Sequence, residues 1–265
     1  MIVNRESLAG ITTGFTALFN NAFSATESHL DKIATVLTSI SAEEVHGWIG
    51  NFPGMREWVG DRHIGNPEAF SYNIKNRTFE STFAVSREDI EDDKIGMYSP
   101  TATQIGELAK THPDELLFEL LKNGFAQRCY DGQYFFDTDH SVAGASVSNM
   151  QAGTGPAWFL LDTSKLVKPL IFQKRRDYKF TSFTKDTDEH VFMKNEYLFG
   201  VDARVNAGYG LWQFAFGSKD TLDETNYAAA RAVMRGIKTD SGRPLLVNPT
   251  VLIVPPELED TARKL

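Results

Sequence analysis

The sequence predicts an α+β fold, and three kinds of pattern predict it. Phe70, Tyr72 and Ile74, then Phe79, Phe83 and Val85, place apolar residues at alternate positions, the period of a β-strand with one buried face. Stretches at 1–30, 99–127 and 221–237 space their apolar residues three and four apart, the period of an amphipathic helix. Short unbroken apolar runs, Trp158-Phe159-Leu160-Leu161, Leu170-Ile171-Phe172 and Leu252-Ile253-Val254, are strands buried on both faces.

The alternating pair predicts a β-hairpin over 68–87, turning near Asn76. A long two-stranded hairpin is marginal in water unless something covers its apolar face. Either the later half of the chain covers it, or a neighbouring copy does, which would make this an assembly protein. An acidic connector, Ser86 to Lys94, leads to Ser99-Pro100, a cap followed by proline at the first helical position. Ile105 and Leu108, then Leu117, Leu120, Leu121 and Phe125, share a helical face. His112-Pro113 interrupts it, so the segment is one long helix kinked at Pro113 or two abutting helices, the second opening on Asp114-Glu115.

The totals exclude several classes. With 42% hydrophobic residues and 19 Phe, the chain has enough apolar bulk for a core. A net charge of −8 argues against a basic nucleic-acid-binding surface, yet suits a wall along which a polyanion slides. The single cysteine, Cys129, forbids an internal disulfide, fits a reducing compartment and reads as a small core residue rather than a nucleophile. No apolar run reaches the roughly 18 residues of a membrane helix, and Met1 to Glu6 lacks a signal-peptide layout. The expected origin is cytoplasmic.

Taken in order, Leu8, Ile11, Phe15, Leu18 and Phe19 form an N-terminal amphipathic helix, packed on its own body or on a neighbour. Trp48 to Trp58 is turn-rich, with two Trp that suit anchors. Asp131-Gly132 is a turn. Asp137, Asp139 and His140 offer metal-ligand types, although a polar loop with Asp capping its own backbone is the plainer reading. Residues 141–156, small and polar, read as a loop, and Lys174-Arg175-Arg176 as a solvated or salt-bridged face. Asp186 to His190 reads as an exposed acidic turn. Gly200, Gly208 and Gly210 within the β-rich stretch 191–216 mark bulges or close strand approach. Thr221 with Glu224 makes a capping box for a last long helix. A helix opening at Pro255-Pro256 stops at Leu265, which suggests a fragment.

No Walker loop, nucleophile elbow or zincin helix is present. The chain does resemble the major head subunits of Mu-like prophages, the gpT type. The resemblance rests on Met1 to Arg5, Pro53 to Trp58, Val85 to Asp93, His112 to Leu116, Cys129 to His140, Gly200 to Arg204, Asn226 to Arg231 and Pro255-Pro256, spread in order along the chain. It implies an HK97-like major capsid fold: an N-terminal arm (1–50), an extended hairpin loop (51–93), a peripheral domain (94–216) with a spine helix at 99–127, and part of an axial domain (217–265). It implies a non-enzymatic subunit of a tailed-phage icosahedral capsid, with no cofactor and no metal, located in the virion and assembled in the bacterial cytoplasm. Its implied partners are copies of itself in hexameric and pentameric capsomers, scaffold and portal proteins, and double-stranded DNA enclosed without sequence-specific binding; no membrane is involved. Phe70, Tyr72, Phe79 and Phe83 are the expected subunit contacts, with Trp48 and Trp58 as anchors. The alternatives are an encapsulin-like nanocompartment shell and a metal-dependent enzyme using Asp137, Asp139 and His140.

Overall fold

The computed structural model describes residues 2–46, 72–185 and 187–265. Its elements are α1 (Arg5–Ala25), α2 (Leu30–Ile33), β1 (Ala34–Thr38), β2 (Glu43–Val45), β3 (Asn73–Lys75), β4 (Arg77–Ser86), α3 (Arg87–Glu91) and α4 (Ser99–Asn123). There follow β5 (His140–Val142), β6 (Ala145–Val147), β7 (Met150–Gln151), β8 (Trp158–Leu161), β9 (Leu170–Phe183), α5 (Glu189–Lys194) and β10 (Glu196–Tyr209). The last are β11 (Ala215–Ser218), α6 (Glu224–Gly236), β12 (Val251–Ile253) and α7 (Glu259–Ala262). The chain divides into two interleaved units. The first comprises Met1–His29, Asn76–Glu115 and Lys174–Asn206; the second comprises Leu30–Lys75, Leu116–Gln173 and Ala207–Leu265.

In the first unit, α1 starts at Asn4, whose side chain accepts from the Ser7 backbone at 2.8 Å while Ser7 Oγ accepts from the Asn4 backbone at 3.0 Å. Its buried face is Leu8, Ile11, Phe15 and Phe19, as the spacing predicts. Leu8, Ile11 and Phe15 rest on their own chain, against Val85, Ile90, Tyr197 and Phe199, and Phe19 packs with Ile105, Ala109 and Val201. The Phe15 ring meets Phe199 edge-on at 5.0 Å, and Phe83 stacks on Phe199 at 5.6 Å.

Among the described residues, 72–87 do not pair as the expected hairpin. β4 pairs antiparallel with β10, from Ser86↔Glu196 to Arg77↔Val205, and β3 pairs with β2. Alternation reports which face of a strand is apolar but is silent on its partner. Asn76 alone separates β3 from β4, fewer residues than the common two-residue hairpin loop. Strand β10 lies between β9 and β4. A Cβ on Gly200 of β10 would lie 2.6 Å from the Ser81 carbonyl oxygen, so the close approach read from that glycine is real.

α4 is a single helix with Pro113 inside it, rather than two. Asp114, read as part of a new first turn, is buried and binds elsewhere in its unit. Its carboxylate accepts from Ser28 Oγ at 2.9 Å and from the His29 backbone at 2.9 and 3.0 Å, pinning the chain that leaves α1.

The second unit centres on a sheet ordered β12-β8-β11-β7. All four residues of β8 are buried, which accounts for its unbroken apolar run. Within 141–156, read as loop, β5 and β6 form a small hairpin. Its turn is Ala143-Gly144, at φ 52° and 80°, and a small alanine and a glycine tolerate that left-handed path. α6 is capped by Asp223, which accepts from the Asn226 backbone at 2.8 Å, and not by Thr221. The Thr221 carbonyl instead accepts from Asn226 Nδ2 at 2.9 Å, and Asp is at least as good a cap as Thr.

The β1–β2 connection hangs on one carboxylate. Glu44 accepts from the Ile40 and Ser41 backbones at 2.7 and 3.0 Å and from Ser39 Oγ at 3.0 Å. These bonds, led by that from Ile40, lower its pKa from 4.5 to about 2. A carboxyl held below its ordinary pKa stabilises the fold when ionised, and that stabilisation is lost as pH falls through the folded value. Glu44→Gln is therefore expected to flatten the decline of melting temperature between pH 4.5 and about 2, compared with wild type, in thermal melts followed by circular dichroism.

Candidate functional site

An open apolar groove runs between α4 and the sheet of the first unit, with a volume of about 250 Å³. Helix α4 contributes Ile105, Leu108, Ala109 and His112, spaced i, i+3, i+4 and i+7 and so on one face. Phe79 from β4 and Tyr178 from β9 close it. The Phe79 ring sits 4.3 Å from the His112 ring, and the Arg77 guanidinium lies over Phe79 at 5.0 Å. His112 Nδ1 is 2.5 Å from the Tyr178 hydroxyl. Burial pushes the His112 pKa down and the Tyr178 pKa up, so both are neutral near pH 7. Glu80, Glu115 and Asp202 lie around this uncharged floor. An apolar trough with acidic groups at its margin suits a packed side chain. Leu108 is 50% exposed there.

The expected contact residues go to different places. Phe79 lines the groove. Phe83 is half-buried and packs with Phe15, Tyr98 and Phe199 of its own chain. Tyr72 belongs to the second unit, where its hydroxyl accepts from the Tyr209 backbone at 3.0 Å and burial raises its pKa to about 12. Phe70, Trp48 and Trp58 lie outside the described residues. His112, read in the sequence as part of the break at Pro113, and Tyr178, which the sequence does not single out, both belong to the groove. His112 continues the Ile105–Leu108 face and was legible; Tyr178, reached only through the strand order, was not.

The loop singled out for metal chemistry is rearranged. Asp137 is spent on backbone groups, accepting from Tyr134 at 3.1 Å and Thr138 at 2.8 Å, and Asp139 is exposed. His140 groups instead with Cys129 and Asp131, its Nδ1 2.7 Å from Asp131 Oδ2. Cys129 Sγ lies 3.1 Å from Asp131 Oδ1. Burial drives the thiol pKa up, so it is protonated and a poor nucleophile, in keeping with a core position.

A profile of the Mu-like prophage major head subunit gpT matches residues 8–265, almost the whole chain. The chain belongs to the Mu-like gpT major head subunit family. Among its gpT relatives, the major capsid protein of Escherichia phage Mu is 42% identical over 276 aligned residues, covering 100% of this chain and 90% of the Mu protein. The Mu-like prophage FluMu major head subunit of Haemophilus influenzae is 39% identical, covering 99% and 89%. Among solved structures, a chain of the procapsid of bacteriophage JBD30 superposes with a TM-score of 0.87 at 44% identity, covering 99% of this chain and 91% of that one. A chain of the JBD30 capsid gives 0.79 at 33% identity, covering 100% and 91%. The mixed helix-and-sheet fold of this gpT family member is therefore that of a tailed-phage major capsid protein.

Proposed function

We propose that this protein is the structural subunit of a tailed-phage icosahedral head, acting by contact between copies and without turnover. The observation that carries this reading is end-to-end similarity to a protein that builds such a shell, the JBD30 procapsid chain. In this reading α4 is the spine and the first unit, with β9, β10 and β4, is the peripheral domain. The second unit supplies the axial domain. Copies gather into hexameric and pentameric capsomers, helped by scaffold and portal proteins, and the finished shell encloses double-stranded DNA. The net charge of −8 supports a container that does not grip the polymer. The groove of Phe79, Leu108 and His112 is the proposed seat for an apolar side chain of a neighbouring copy, because a shell built from copies of one chain repeats the same kinds of contact.

Electron microscopy of the protein co-expressed in a bacterial host with its neighbouring head genes tests this. Closed, regular shells are expected. A product that stays monomeric beside its own scaffold and portal would overturn the proposal.

A further inference from the structure

We infer that Cys129, Asp131 and His140 form a buried site for one divalent, borderline-soft cation of the zinc type. Their donor atoms, a sulfur, a carboxylate oxygen and a ring nitrogen, all lie within 4.8 Å of one another. Donors held at ordinary zinc distances in a tetrahedron are about 3.3–3.8 Å apart. Here Sγ to Oδ1 is 3.1 Å and Nδ1 to Oδ2 is 2.7 Å, so small side-chain shifts would open the cluster around a cation.

Local folding explains why residues eleven positions apart meet. The Asp131-Gly132 turn closes with Cys129 N donating to Gln133 O at 2.8 Å, and Gly132 takes φ 85° there. His140 is the first residue of β5, and its ring stacks on Trp212 at 4.0 Å and 10°, which fixes the ring plane. The His140 side chain is fully buried, and among the described residues its Nε2 has no hydrogen-bond partner. The Asp131 carboxylate accepts from Nδ1, which places the ring proton there in the absence of metal; binding of the cation at Nδ1 moves that proton to Nε2. Asp131, at 14% exposure, gives the cluster its route to solvent.

Charge balance favours a divalent ion. On binding, the thiol proton leaves to solvent and a sulfur–metal bond forms. One thiolate, one carboxylate and one neutral imidazole then cancel two positive charges, so the buried site carries no net charge. A sulfur, nitrogen and oxygen donor set suits zinc and disfavours magnesium or calcium, which take oxygen alone. Such an ion would staple the Cys129–Gln133 turn to the β5–β6 hairpin within the second unit.

Cys129 is the sole cysteine of the chain, which makes the test specific. Full-length protein is stripped with chelator and titrated with Zn²⁺ or Co²⁺. About one equivalent of zinc is expected to remain after dialysis, and cobalt is expected to produce a near-ultraviolet thiolate-to-metal charge-transfer band. Cys129→Ser is expected to abolish the band and weaken zinc binding by at least roughly 10–100-fold. Asp137→Asn and Asp139→Asn, which alter the neighbouring carboxylates, are expected to leave the band intact. The wild-type spectrum decides the matter even if Cys129→Ser fails to fold. Cobalt bound without the thiolate band, or no equivalent of either ion retained, overturns the site and leaves a plain hydrogen-bonded cluster.

Discussion

Phe199→Ala is expected to destabilise the fold by about 3–5 kcal/mol, the range for emptying a buried aromatic site. Phe199 is 0% exposed and is touched from two sides, edge-on by Phe15 of α1 and face-on by Phe83 of β4. Truncation removes both ring contacts and leaves a cavity bounded by a helix and a hydrogen-bonded strand pair. Neither wall collapses easily, because Phe83 and Phe199 are held opposite one another in the β4–β10 register. For a chain of this size the loss corresponds to a drop of about 6–20 °C in melting temperature by calorimetry. A change of less than about 2 °C would show that the aromatic cluster is not what holds α1 to its sheet.

Phe79→Asp is expected to fold like wild type and fail to build shells. Phe79 lines an open groove, so its replacement leaves no sealed cavity. The new carboxylate would nevertheless stand on the apolar floor beside His112, where a neighbour's side chain would have to bring it out of water. The defect recurs in every copy, so a modest penalty per contact multiplies across the shell. Phe83→Asp separates assembly from folding. It places a charge among Phe15, Tyr98 and Phe199 and is expected to lower the melting temperature of the subunit itself. Circular dichroism paired with electron microscopy reads both effects. Normal shells from Phe79→Asp would show that the groove takes no part in subunit contact.

The spacing of Leu8, Ile11, Phe15 and Phe19 was enough to draw α1 and its buried face, because helical period depends on local sequence alone. The same holds for β8, where four consecutive apolar residues can only be buried on both sides. Pairing was not legible. Phe79 and Phe83 show the strand period, yet their partner is β10, more than a hundred residues later, and not β3 beside them. Caps were readable to within two residues: Thr221 and Asp223 both carry suitable oxygens, and only the backbone path chose Asp223.

Sequence alone determined the α+β class, the helical and extended stretches, the absence of an internal disulfide and, through motifs spread along the chain, membership of the gpT family. Tertiary structure decided which strands pair, and so which of the alternating phenylalanines is core and which lines a groove. It also decided that Cys129 and Asp131, rather than Asp137 and Asp139, stand beside His140. The reason is range: periodicity and capping are settled within a turn or two of chain, whereas a partner strand or a converging side chain depends on where the distant backbone runs.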